Sequence, residues 1–137
     1  MISLSEAIRD ELVRRARAGA PREVCGVLAG SFGAEESRVD GHYPTANAAE
    51  RPRDRYRIPA EELLQALERI ENRDREPVGF YHSHPRGPPS PSETDRERAT
   101  WPDRSYVIVS LAPSPAVRSW RWRADDGAFE RERVLIE

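Results

Sequence analysis

The sequence predicts an α/β fold, a mixed-sheet sandwich flanked by helices that forms a single domain over residues 1–137. Three observations carry that expectation. Helical periodicity near the start and in the middle of the chain alternates with short apolar runs of strand length. The runs are separated by glycine- and proline-containing turns. No repeat, low-complexity block or linker divides the 137 residues, a length at which one core can bury most of the unfolded surface.

Each element has its own signal. "SLSEAIRDELVRRARAG" opens with Ser3 and Glu6 in capping-box spacing, aligns Leu4, Ile8 and Leu12 on one stripe, and stops at Gly19 before Pro21. That pattern predicts an amphipathic first helix. "EVCGVLAG" is an apolar run bounded by charge and glycine, a buried strand in which Gly26 allows close backbone approach. "SRVDGHYP" and "RYRI" read as further strands on either side of the polar segment "TANAAERPRD". Pro59 suits the first turn of a second helix, "PAEELLQALERIENR", which places Leu63, Leu67 and Ile70 on one face. "PVGFYHSH" is a strand by its Val78, Phe80 and Tyr81, and it runs into "PRGPPSP", whose prolines exclude helix and continuous strand alike. "SETDRERAT" begins a third helix with Ser92 at the cap and Asp95 three residues later, ending before Pro102. The tail supplies three strand-like segments, "SYVIVSL", "VRSWRWRA" and "FERERVLIE".

Composition excludes several classes of function. All 22 cationic side chains are arginine, and 24 carboxylates outnumber them to a formal net charge of −2, so the chain is no general polyanion binder. "RSWRWRA" interleaves arginine with tryptophan, yet strand period puts Trp120 and Trp122 on one side and Arg121 and Arg123 on the other. A packed, half-buried strand explains it without a nucleic-acid partner. Cys25 is the single cysteine, which rules out an internal disulfide or thiolate cluster, and its apolar setting marks an inert small hydrophobe. No run has signal-peptide or membrane-spanning character, so a soluble cytoplasmic protein without a membrane partner is expected. No residue pattern specifies an oligomeric state.

The chemistry-bearing stretch is "GFYHSHPRGPPSPSETDRE". Residues two apart on a strand share a face, so His82 and His84 can present imidazoles side by side while Ser83 points away. Asp95, on the first turn of the next helix, can add an oxygen if the proline loop folds the helix start back to the strand. Three protein ligands with an open fourth position is the ligand count of a catalytic zinc site. A His-x-His pair alone reads as surface or hydrogen-bonded histidines. The whole pattern of His, His, Ser and Asp has a chance occurrence on the order of one in several thousand at ordinary composition. His42, in "DGHYP", has no such partners and reads as a turn or surface residue.

"HSHPRGPPSPSETD" resembles the signature of the JAMM/MPN+ (Mov34/MPN/PAD-1) metalloproteases, with the spacer length of that family preserved. "PREVCGVLAG" resembles the family's first-strand block and "RYRIPAEELLQAL" the strand and helix between, so the likeness covers about residues 4–111 and is nearest to short prokaryotic members. The resemblance implies a JAMM/MPN, cytidine-deaminase-like fold and one zinc ion per chain, held by His82, His84 and Asp95. It implies Glu23 as general base, a residue that spacing alone does not single out among 24 acidic side chains. Ser92 would donate its hydroxyl to the oxyanion while also capping its helix, roles that one hydroxyl can combine.

The expected function is zinc-dependent hydrolysis of peptide or isopeptide bonds at the C-terminal Gly-Gly tail of a ubiquitin-like or sulfur-carrier protein. The alternative is a non-catalytic MPN-type interaction module, in which one of these residues is typically lost. A zinc nucleobase deaminase lacks support, because its H-x-E and P-C-x-x-C elements are absent.

Overall fold

The computed structural model describes all 137 residues. Their elements run β1 (Ile2–Leu4), α1 (Glu6–Gly19), β2 (Cys25–Ser31), β3 (Ser37–Thr45), α2 (Ala60–Asn72), β4 (Glu76–His84), α3 (Glu93–Arg98), β5 (Ser105–Ser110), β6 (Ala116–Arg123), β7 (Ala128–Glu132) and β8 (Val134–Ile136). All eight strands join one mixed sheet in the order β7-β6-β5-β4-β2-β3-β1-β8. Its parallel pairs are β4 with β5 and β1 with β3 and β8.

The near-continuous apolar runs become the central strands because both faces of the sheet are covered. Alternation then sorts their side chains. Leu28, Tyr81, Val107 and Val109 pack with Leu12 and Ala16 of α1, whereas Val27, Phe80 and Tyr106 pack with Ala66 and Ile70 of α2. Gly26 makes the close approach expected of it: a Cβ there would lie 2.5 Å from the Tyr81 ring and 2.6 Å from the Tyr43 carbonyl oxygen.

Three expectations need correction. The first helix begins at Glu6, and its cap is Ser5, whose Oγ accepts from the Ile8 N–H at 3.1 Å. Ser3 is not the cap, because Ile2–Leu4 lies between β3 and β8 in parallel register and its backbone is committed to the sheet. "RYRI" is not a strand; the Arg57 N–H and the Arg55 carbonyl bond to the side chain of Asn47 instead of to a sheet neighbour. "FERERVLIE" is two strands, since β7 pairs with β6 at one end of the strand order and β8 with β1 at the other. Only Arg133 separates β7 from β8, so the sheet must curl until its two edges nearly meet.

Arg121 also departs from the half-exposed face expected of β6. It is 1% exposed and donates from Nε to Glu132 Oε2 at 2.7 Å, from Nη1 to the carbonyls of Gly33, Ala34 and Asp103, and from Nη2 to Ser37 Oγ. Glu132 Oε1 accepts from the hydroxyls of Ser105 and Ser119. This buried pair is therefore satisfied at every nitrogen and both oxygens, which is the condition for such a pair to be tolerated.

Burial alone would raise the Glu132 carboxyl, but the bonds from Arg121, Ser105 and Ser119 outweigh it and hold the group below its ordinary value. Because the unfolded chain takes up this proton at higher pH than the folded one, the stabilisation is complete above the unfolded value and drains away as pH falls through the folded one. Glu132→Gln should cost about 3 kcal/mol at pH 7 by stranding the guanidinium. Chemical denaturation at stepped pH should show the gap from wild type closing in acid. A gap that is constant down to pH 3 would contradict this account.

Candidate metal centre

His82 and His84 sit on one face at the end of β4, and the proline loop returns the chain so that α3 starts beside them. Ser92 Oγ accepts from the Asp95 N–H at 3.1 Å while Asp95 Oδ2 accepts from the Ser92 N–H at 2.9 Å. This reciprocal cap fixes the Asp95 side chain. Its Oδ2 lies 3.2 Å from Nε2 of His82 and 3.2 Å from Nε2 of His84, and those two nitrogens are 3.0 Å apart. All three residues are buried.

The surroundings orient these donors. Nδ1 of His84 meets the Pro88 carbonyl at 2.9 Å, which assigns the proton to Nδ1 and leaves the Nε2 lone pair facing Asp95 and His82. The His82 ring stacks on Tyr56 with centroids 4.4 Å apart and an interplanar angle of 20°. Ser83 points to the other face and ties the strand to the segment before β2: its N–H donates to the Val24 carbonyl at 3.0 Å, and its Oγ accepts from the Val24 N–H at 2.8 Å. Glu23, the next residue back, is thereby brought to the histidines, and a carboxylate oxygen of it lies within 4.8 Å of their ring nitrogens.

The donor set fits a zinc-class ion. Ligands about 2.0 Å from a tetrahedral ion stand roughly 3.3 Å from one another, close to the separations among Nε2, Nε2 and Oδ2. Glu23 is a second carboxylate within reach of the same histidines, but Asp95 is the nearer one and touches both rings. Glu23 is buried with Oε1 lacking any hydrogen-bond partner, a costly arrangement for a purely structural residue.

The electrostatics divide the roles. Burial would raise the Asp95 carboxyl, yet its contacts with His82 and His84 hold it well below the usual carboxylate range. His82 is lowered by burial, against the pull of Asp95. His84 is raised: burial opposes protonation, but Asp95 and the Pro88 carbonyl outweigh it. Glu23 is pushed by burial up to about 8, with His84 pulling down and Asp95 and Asp54 adding to the rise. One carboxylate is thus held as an anion between imidazoles, and the other is shifted towards neutral pH by its burial.

Two cavities open on this cluster. A polar one of about 410 Å³ is lined by Glu23, His84 and Ser92 with Asp54 and Arg86. An apolar one of about 330 Å³ is lined by Tyr56, Leu63, Phe80, Trp101 and Tyr106 and has Asp95 at its wall. The structure thus brings together all five residues singled out in the sequence. Sequence reasoning missed Tyr56 and the Pro88 carbonyl, neither of which carries a spacing signal of its own, and it placed Ser83 on the opposite face without its ties to Val24.

The fold is that of the JAB/MPN class of α/β domains. The chain belongs to the prokaryotic homologues of the JAB domain, the Prok-JAB family, which matches residues 5–123. It is 43% identical to the desampylase of Haloferax volcanii over 140 residues, covering 99% of this chain and 96% of that protein. It is 40% identical to the CysO-cysteine peptidase of Mycobacterium tuberculosis over 125 residues, covering 91% of this chain and 84% of that protein. The solution structure of a Desulfitobacterium hafniense protein superposes with a TM-score of 0.89 at 30% identity, covering 100% of this chain and 93% of that one.

If the three donors form a metal centre, calorimetric titration with Zn²⁺ should give one ion per chain. His84→Ala should weaken binding beyond the ~10- to 100-fold typical of losing an outer partner. Unchanged affinity in that variant would place the metal elsewhere.

Proposed function

We propose that the protein is a zinc-dependent hydrolase that cleaves peptide or isopeptide bonds at the C-terminal Gly-Gly tail of a ubiquitin-like or sulfur-carrier protein. The observation that carries this reading is the triangle of His82, His84 and Asp95 donors with the buried, partnerless carboxylate of Glu23 beside it. Support for the substrate class comes from relatives that bear the names desampylase and CysO-cysteine peptidase and align over nearly all of this chain.

His82, His84 and Asp95 would hold the ion, which when bound supplies a Lewis acid that lowers the pKa of water and polarises a carbonyl. Glu23 accepts the proton released as the water oxygen bonds to the carbonyl carbon, and returns it to the nitrogen as the C–N bond breaks. A carboxyl raised towards neutrality is suited to both transfers. Ser92 Oγ already accepts the Asp95 N–H, so its own hydrogen is free to donate to the developing oxyanion. An extended tail can lie between the two cavities, and two successive glycines allow its backbone to approach the donors closely.

The test uses purified protein and the ubiquitin-like carriers of its own source, extended or conjugated at their C-terminus, with mass spectrometry as the readout. Cleavage should be lost on chelation and in Glu23→Gln, which should still bind zinc. Ser92→Ala should lower turnover ~10²-fold or more, with a stability loss of only about 1 kcal/mol from the cap. Zinc binding without turnover on any such conjugate would favour the interaction module instead.

A further inference from the structure

The loop before α2 contains a side chain whose bonding pattern ties the base to the support of the metal donors. Asn47 makes hydrogen bonds from both ends of its amide. Nδ2 donates to the Glu23 carbonyl at 3.0 Å, to the Arg55 carbonyl at 3.0 Å and, at 3.5 Å, to the Pro52 carbonyl. Oδ1 accepts the N–H groups of Ala49 at 3.0 Å and Arg57 at 3.1 Å. The orientation of the amide is determined, since the flipped form would set NH₂ against two N–H donors and oxygen against three carbonyls.

These contacts select what Asn47 holds. Arg55 and Arg57 are the two neighbours of Tyr56, so the amide grips the backbone on both sides of the ring that stacks on His82. Glu23 is held at both of its backbone groups, its carbonyl by Asn47 and its N–H by the Pro52 carbonyl at 2.7 Å, which Asn47 also touches. The segment is neither helix nor strand, so no ladder would otherwise fix it. Its remaining ties to the Asn47 region are the Ala48 N–H to the Arg57 carbonyl and Arg57 Nη2 to the Ala48 carbonyl, both at 2.8 Å.

We propose that Asn47 is a positioning residue for the reaction: one amide that sets the backbone of Glu23 and the Tyr56 platform under His82 as a single unit. Asn47 does not touch the donor atoms. It acts through Glu23, whose carboxylate must lie one water from the donors, and through the ring that fixes the plane of His82. Misplacement of a reacting group by an ångström has large kinetic consequences without a matching loss of substrate binding. This inference rests on the hydrolase reading above for its kinetic part, but its structural part can be measured without turnover.

The discriminating variant is Asn47→Asp, which keeps the Oδ1 acceptor and replaces the Nδ2 donor with an oxygen facing the carbonyls of Glu23 and Arg55. Amide hydrogen exchange by NMR is the first readout. The Glu23 N–H should exchange at least ~10-fold faster than in wild type while the amides of Val27 and Phe80 in the core strands keep their protection. In the kinetic readout turnover should fall at least ~10-fold with KM changed less than about threefold. In a Glu23→Gln background Asn47→Asp should lower the residual rate by a smaller factor than it lowers the wild-type rate, because the route through Glu23 is gone and only the one through Tyr56 and His82 remains. Should the aspartate variant fail to fold, Asn47→Ser, which can keep one donor bond, is measured in the same way and should show a smaller acceleration of Glu23 exchange.

The proposal is overturned if a folded variant leaves Glu23 exchange unchanged, or if the rate losses of Asn47→Asp and Glu23→Gln multiply. A wild-type protein that cleaves no conjugate, yet whose Glu23 amide loses protection in Asn47→Asp, would remove the hydrolase reading while leaving Asn47 as the residue that places Glu23.

Discussion

The antiparallel pairing of β2 with β4 is the constraint on which the site depends. It sets Cys25 opposite His82, so the chain entering β2 passes the histidines as β4 leaves the sheet. Beyond the last ladder pair, the two bonds between Ser83 and Val24 continue the contact by one step and carry Glu23 into place. A slip of one residue in this register would turn His82 and His84 to the α1 face and Ser83 towards Asp95. The irregularities of β2 lie at its other end, between Leu28 and Gly30, where its pairing with β4 shifts between Leu28 and Ala29 and that with β3 between Ala29 and Gly30. The end that builds the site is regular on both sides.

What the sequence made legible follows from how local each feature is. His82, His84, Ser92 and Asp95 lie within 14 residues, and their geometry is set by a strand end, a proline loop and a helix cap, each of which has a local signal. Glu23 lies some sixty residues earlier, and only the β2–β4 pairing relates it to the others, so resemblance to a family was needed to find it. Local rules failed where tertiary pairing competed with them. Ser3 has good spacing for a cap, but the gap between β3 and β8 claimed its backbone for a strand. "RYRI" has the composition of a strand, but its backbone partner is the Asn47 side chain, and no pattern in "TANAAERPRD" distinguishes that asparagine from an ordinary turn residue.

The fold contains two buried clusters of charge, and their difference separates structure from function. Around Arg121 and Glu132 every guanidinium nitrogen and both carboxylate oxygens have partners supplied by the chain, so the cluster is complete as it stands and holds β6, β7 and the turn after β2 together. Around His82 the accounting leaves a remainder: Glu23 Oε1 and His82 Nδ1 are buried without partners, and three electron-rich donor atoms crowd within 3.2 Å. Buried polar groups left unmatched cost stability, and natural chains keep them where another species completes the set. The two clusters sit in one sheet under the same demands of folding. The proposed function accounts for the second: a cation among Nε2, Nε2 and Oδ2 with a water beside Glu23 would match the three crowded atoms and Glu23 Oε1, and of the atoms named only His82 Nδ1, on the far side of its ring, would keep no partner.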